Sequence, residues 1–316
     1  VGVIDAIADG CLAVVRRPWV VVPVVALDLV YWLGGRLMIT PFTDGVIRLL
    51  ELAQQQSPTG PDSAETIETL RTLGRDTDLL GLLSVGQRPL LPLLDAELVG
   101  RPWGVGAIDP GSWWAVVLLT AVLLCFGVFW LALALCLLAP LVRQEPFALG
   151  AVLRQVPRSW LRLLGLYAII LGGFALVFLP LLITATILSL LGLGAASLLL
   201  LLLFPLLILY VYLALAPEAI VVSDVGPLRA IKLSVQVVRR NFWPTFGLLA
   251  ATYLIATGFP FGWRLLTPQV AGVPLAIVGN GVIVTALAAA AMLFYRERAA
   301  ALEPAQAQVP EAGGAK

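Results

Sequence analysis

Apolar and polar positions along this chain fall into a short programme that occurs three times: an amphipathic stretch, a basic pair or near-pair, an aromatic residue and a long apolar segment. The three instances are Val14-Val15-Arg16-Arg17-Pro18-Trp19, Val156-Pro157-Arg158-Ser159-Trp160-Leu161-Arg162 and Val237-Val238-Arg239-Arg240-Asn241-Phe242-Trp243. Ahead of the third, Leu228, Ile231, Val235 and Val238 recur at helical spacing, Arg229, Lys232, Gln236 and Arg239 take another face, and Pro227 stands where a helix would begin. Ahead of the first, Ile4, Ile7, Cys11 and Val14 keep that spacing, with the basic pair one residue further on. Leu149, Val152, Val156 and Ser159, after Pro146, give a weaker copy. Each stretch predicts an interfacial helix with its apolar side in the acyl boundary. Arg16, Arg17, Arg158, Arg162, Arg229, Lys232, Arg239 and Arg240 then turn toward anionic lipid head groups.

A bilayer core about 30 Å thick takes about 20 apolar residues of helix. Six stretches qualify, at 19–39, 114–138, 163–190, 195–216, 243–263 and 273–295. The third and fourth form one apolar run broken only by Leu191-Gly192-Leu193-Gly194-Ala195, which predicts a tight hairpin. The first has no small-x-small cleavage site before Arg36 and reads as a retained signal anchor. With the N-terminus in the cytoplasm, Arg16, Arg17, Arg143, Arg154, Arg158, Arg162, Arg229, Lys232, Arg239, Arg240, Arg296 and Arg298 lie inside. The two short outer loops hold only Arg264. This asymmetry predicts that both termini are cytoplasmic.

One extramembrane segment is large, 36–112, and its six basic and ten acidic residues make it acidic. The spacing predicts a helix over 44–56 using Val46, Leu49, Leu50 and Ala53, a turn-rich linker at 57–61, and a second helix opened by the capping box Asp62-Ser63-Ala64-Glu65. The apolar Pro89-Leu90-Leu91-Pro92-Leu93-Leu94 is too short to span and is expected to pack on the outer face or under this cap. The chain thus divides into 1–40, with the first interfacial helix and span; 41–112, an extracytoplasmic helical insertion; 113–298, the other five spans; and 299–316, a disordered cytoplasmic tail.

Composition agrees with the membrane reading: 60% of residues are hydrophobic, 12% are charged and the mean hydropathy is +0.98. A net charge of +1 argues against a nucleic-acid partner. The chain has no histidine, which removes His-based triads, HExxH zinc sites and imidazole proton shuttles. Cys11, Cys125 and Cys136 have no metal-ligand spacing, and no phosphate-binding glycine loop occurs, so no cofactor and no metal is implied.

Two polar residues stand out inside spans. Asp28 is flanked by Ala26-Leu27 and Leu29-Val30, where an ionisable group is expensive and faces the bundle interior or a water-filled cavity. It reads either as a cation, proton or substrate site or as a structural residue hydrogen-bonded to another helix. Asn280, in the notch Gly279-Asn280-Gly281, reads either as a close helix contact with one interhelical hydrogen bond or as a partner in a polar site with Asp28. Glu218 is expected in a boundary turn beside arginines.

The stretch Pro217-Glu218-Ala219-Ile220-Val221-Val222-Ser223, with Gly226-Pro227-Leu228-Arg229-Ala230-Ile231-Lys232-Leu233-Ser234 and Arg239-Arg240-Asn241-Phe242-Trp243 after it, resembles a group of bacterial six-span proteins. They are similar to the membrane domain fused to some glycerophosphodiester phosphodiesterases. The resemblance implies an integral membrane protein of the bacterial cytoplasmic membrane without an agreed activity, so no functional residues carry over; the catalytic barrel with its histidines is absent here, and hydrolysis is not implied. The fold expected is all-α: a polytopic membrane protein of six transmembrane helices, arranged as three repeats of interfacial helix plus helical hairpin, with a small extracytoplasmic helical insertion. The function expected is a non-enzymatic membrane module organising lipid, chiefly anionic head groups on the cytoplasmic face, or a membrane protein partner. The alternative is a small transporter or permease with a polar site at Asp28.

Overall fold

The structure, a computed structural model, describes residues 2–56, 64–87, 90, 107–190 and 205–302. The 191–195 turn, the Asp62 cap, the 57–61 linker, most of 89–94 and the tail after Glu303 lie outside the described residues. The described helices are α1 (Val3–Arg16), α2 (Val22–Leu33), α3 (Thr40–Gln56), α4 (Ala64–Asp76), α5 (Trp113–Arg143), α6 (Leu149–Leu190), α7 (Pro205–Val222), α8 (Pro227–Arg240), α9 (Phe242–Trp263) and α10 (Gly272–Ala300). Short 3₁₀ turns occupy Pro18–Val21 and Leu79–Ser84, and β1 (Arg36–Leu37) pairs in parallel with β2 (Ala107–Ile108). Five of the helices, α5, α6, α7, α9 and α10, are long and apolar enough to cross a membrane; a sixth span is reached if α1 and the Pro18–Leu33 segment, bent by 106° from each other, count as one.

Where the basic programme stops a helix, the next residues explain it. α1 ends at Arg16 because Arg17 precedes Pro18, whose ring disfavours helical geometry in the residue before it. α8 ends at Arg240 because Asn241 takes the C-cap. At the middle copy nothing intervenes: Arg162 runs on into Leu163-Leu164, both strong helix formers, and α6 continues unbroken through Pro157 to Leu190. The separate interfacial helix expected at 149–159 is therefore the first part of one 42-residue helix.

The described contacts divide the chain into two compact units. The first comprises 1–20, 132–257 and 285–316. In it α1 lies against the second half of α10 at Gly10, where a β-carbon would fall 2.4 Å from the Ala286 carbonyl oxygen, so only glycine permits this approach. Trp19 stacks obliquely on Phe147 at 4.2 Å between ring centroids. Ser234 of α8 donates to the Tyr212 carbonyl at 2.7 Å, tying α8 to α7 across a turn of few residues.

The second unit comprises 21–131 and 258–284. One face of α2, Leu27 and Tyr31, packs with Leu80, Leu83, Leu123 and Trp130. Its other face, Val25, Leu29 and Trp32, packs with Val273, Ala276, Ile277 and Leu90. The Trp130 indole donates to the Pro23 carbonyl at 2.8 Å. α3 begins at Thr40, a turn earlier than the periodicity predicts, and meets α4 where Gly74 lies against Thr43. The insertion is more than a cap. Its Leu79–Ser84 turn sits beside the middle of α5: a β-carbon on Gly127, about 20 Å along the helix from Trp113, would lie 2.5 Å from the Leu82 carbonyl oxygen.

Candidate functional site

Asp28 and Asn280 are both 0% exposed. They belong to facing stripes of α2 and α10. Gly281 receives Val21 and Val25, Gly279 receives the Trp263 ring, and Asp28 lies one turn beyond Val25. The notch thus does what two glycines around a polar residue are suited to do, letting two neighbours approach a helix backbone closely. Sequence reasoning missed the group beside Asp28. The Tyr31 hydroxyl donates to the Leu80 carbonyl at 2.6 Å, and Ser84, Asp78 and Asp28 all lie within electrostatic reach of it. Asp78 in turn accepts from the amides of Leu37 and Leu80, each at 3.0 Å, fixing the start of the Leu79–Ser84 turn. No short sequence pattern marks such an arrangement, because its members are 49 residues apart.

The basic residues separate into two kinds. Some hold helix ends together. Arg143, the last residue of α5, donates through Nε to the Val222 carbonyl at 3.1 Å and through Nη2 to that of Val221, and Gln155 adds a 3.3 Å bond to Val221. The final carbonyls of α7, which have no intrahelical donor, are satisfied in this way. Arg296 does the same for the Val142 carbonyl near the end of α5. Arg298 donates to the Asn241 side chain at 3.1 Å and lies over the Phe294 ring. Cations at helix C-termini also oppose the negative end of the dipole. Arg162 and Arg158 both pair with Asp224, a residue in the left-handed region at φ 50°. Glu218 was expected to meet nearby arginines; among the described residues it forms no ion pair and lies near Tyr167 instead. Ser223 and Tyr295 hydroxyls share a 2.9 Å hydrogen bond on the same α7–α8 connection.

The others lie on amphipathic helices with three faces, not two. In α8 the buried stripe is Ala230, Ser234, Val237 and Val238. Leu228, Ile231 and Val235, expected to form the anchoring face with Val238, lie on a flank, and Leu228 is 65% exposed. Arg229, Lys232, Arg239 and Arg240 are exposed on the remaining side. α1 repeats this plan. Ala6, Gly10 and Val14 are buried, Ile4, Cys11 and Val15 are exposed, and Asp5, Asp9 and Arg16 form the polar side, with Arg17 half-buried at the C-cap. Both helices are 14 residues long and start from a glycine N-cap in nearly the same conformation, φ −73°, ψ 170° at Gly2 and φ −74°, ψ 166° at Gly226. Position for position, Gly2, Ala6, Gly10 and Val14 correspond to Gly226, Ala230, Ser234 and Val238. The first part of α6 buries Val152, Val156 and Ser159 and exposes Leu149, Leu153 and Leu161.

A family model described as "Domain of unknown function (DUF7847)" matches residues 2–298. No curated protein and no solved structure matches the chain.

Proposed function

The chain belongs to this family of unknown function over nearly its whole length, and from that premise we propose that it is a non-enzymatic integral membrane module that organises lipid or a partner protein, with its amphipathic helices along the cytoplasmic leaflet. The observation that carries the reading is the distribution of polarity. Asp28 and Asn280, the polar groups at the α2–α10 seam, are fully shielded from solvent, while the exposed cations sit on the helix faces of α1, α6 and α8. A shielded carboxyl inside an apolar seam suits a structural role, since ion or substrate passage needs access to the group. The matching registers of α1 and α8 support a repeated unit, and with it the six-span arrangement.

The second reading is a small transporter or permease with its site at Asp28. It is favoured by the polar neighbours of Tyr31, because Ser84 and Asp78 of the acidic insertion and Asp28 of α2 all lie within electrostatic reach of its hydroxyl. Difference infrared spectroscopy of reconstituted wild type against Asp28→Asn separates the two. The module reading expects an Asp28 carboxyl band that neither titrates between pH 5 and 8 (roughly the range in which physiological switches work) nor exchanges quickly with deuterated water. A band that titrates and exchanges within seconds supports transport and overturns the module.

A further inference from the structure

We infer that α8, and not the basic stretches of α1 or α6, is the element that binds anionic phospholipid. This rests on the membrane-module reading and names the part of it that does the binding. Pro227–Arg240 carries Arg229, Lys232, Arg239 and Arg240 and no acidic residue. All four are exposed, and among the described residues none forms an ion pair. The basic residues of the other two helices have carboxylates beside them, Arg154 of α6 excepted. Arg158 and Arg162 of α6 share Asp224, and Arg16 shares the exposed side of α1 with Asp5 and Asp9. A phosphate approaching α8 meets four cations with no carboxylate on them among the described residues, whereas one approaching Arg158 and Arg162 must displace Asp224.

The hydrophobic half of a lipid also has a place to go. Leu228 lies on the flank beside the cations, and Trp243, three residues past Arg240, is 77% exposed with Phe246 one turn on. Cations beside exposed Trp and Phe are what a phospholipid meets at the boundary, head group to the basic side and chains to the aromatic side. Charge and apolar flank together select a lipid over a free phosphate, because a soluble anion gains nothing from Leu228 or Trp243.

The test is a titration of the purified full-length protein, watched by native mass spectrometry, with phosphatidylglycerol, phosphatidylcholine and inorganic phosphate. Wild type is expected to retain phosphatidylglycerol over phosphatidylcholine and to ignore inorganic phosphate. Arg239→Gln/Arg240→Gln is expected to weaken that retention by about five-fold per charge removed, with Arg158→Gln/Arg162→Gln unchanged. Circular dichroism and the thermal midpoint check that each variant is folded, and Arg229→Gln/Lys232→Gln, at the other end of α8, gives a second route to the same loss. Retention that survives both α8 pairs but is lost with the α6 pair overturns the assignment to α8 and leaves the lipid module standing. Equal binding of inorganic phosphate overturns the lipid as ligand. No preference for phosphatidylglycerol in wild type removes lipid organisation itself, and this inference with it.

Discussion

Tyr31 holds the Leu80 carbonyl: the hydroxyl of a residue near the end of α2 donates, at 2.6 Å, to a turn in the following segment. That bond satisfies one carbonyl of an irregular piece of backbone that lies beside the middle of α5. Irregular backbone is tolerated among membrane helices where its polar groups are satisfied by protein. Tyr31→Phe keeps the ring and removes only the donor. It is expected to lower stability by about 0.5–1.5 kcal/mol, the net worth of one part-buried hydrogen bond. Hydrogen exchange should localise the effect to residues 79–84. Unchanged protection there would mean the bond is not what holds the turn.

Two glycines give opposite expectations for the same substitution. A β-carbon at Gly127 would meet the Leu82 carbonyl oxygen at 2.5 Å, whereas at Gly172 it would meet nothing within 4 Å. Gly127→Ala is expected to destabilise by about 1–3 kcal/mol through forced movement of backbone. Gly172→Ala should stabilise α6 by about 0.5–1 kcal/mol through lower backbone entropy. Thermal midpoints of the two variants in the same detergent should therefore move apart, and a shift in the same direction would contradict the packing at Gly127.

Arg143 caps α7 with two nitrogens at once, a geometry lysine does not reproduce. Arg143→Gln is expected to lose about 1.5–3 kcal/mol, the range for hydrogen bonds made by a charged donor. Arg143→Lys should recover only part of it. Full rescue by lysine in an equilibrium unfolding assay would reduce the role of Arg143 to charge alone.

Asp224 tests the reverse case. Its arginine partners are close, yet its side chain is 49% exposed and that of Arg158 67%. Solvent screens such pairs to about 0–1 kcal/mol. Asp224→Asn should therefore change stability by less than about 1 kcal/mol, while freeing Arg158 and Arg162 and raising phosphatidylglycerol retention in the same mass-spectrometric assay. A large loss of stability without added lipid would show that Asp224 serves the α7–α8 connection more than it masks the arginines.

Hydropathy made the long helices legible, and Arg17-Pro18 and Arg240-Asn241 made the breaks before the apolar segments legible. The orientation of the amphipathic helices was harder to read, for a physical reason. A membrane protein has two apolar surroundings, its own interior and the lipid. Periodicity counts Leu228, Ile231 and Val235 as the buried face because they are the more hydrophobic, but Ala230 and Ser234 are the residues small enough for another helix to approach. The same ambiguity hid the arginines. Arg143 and Arg229 both read as boundary cations, and only the fold tells that one ends on backbone carbonyls and the other at the surface. Asp28 and Asn280 were legible as odd polar residues in apolar stretches, but the tyrosine and the turn beside Asp28 were not, since nothing local in the sequence brings residue 80 to residue 31.

The shared length and caps of α1 and α8 set a rule about gaps as opposed to substitutions. Each residue of an α-helix turns its successors by about 100°. Removing one residue from the middle of α8 would swing Arg239 and Arg240 out of register with Ala230 and Ser234. Some cations would face the interior and some small residues the surface, while composition and net hydrophobicity stayed almost the same. Relatives of this chain should therefore vary freely in which basic residue sits on the outer side of these two helices and hardly at all in how many residues separate the glycine that opens each helix from the Arg-Arg or Arg-Asn that closes it.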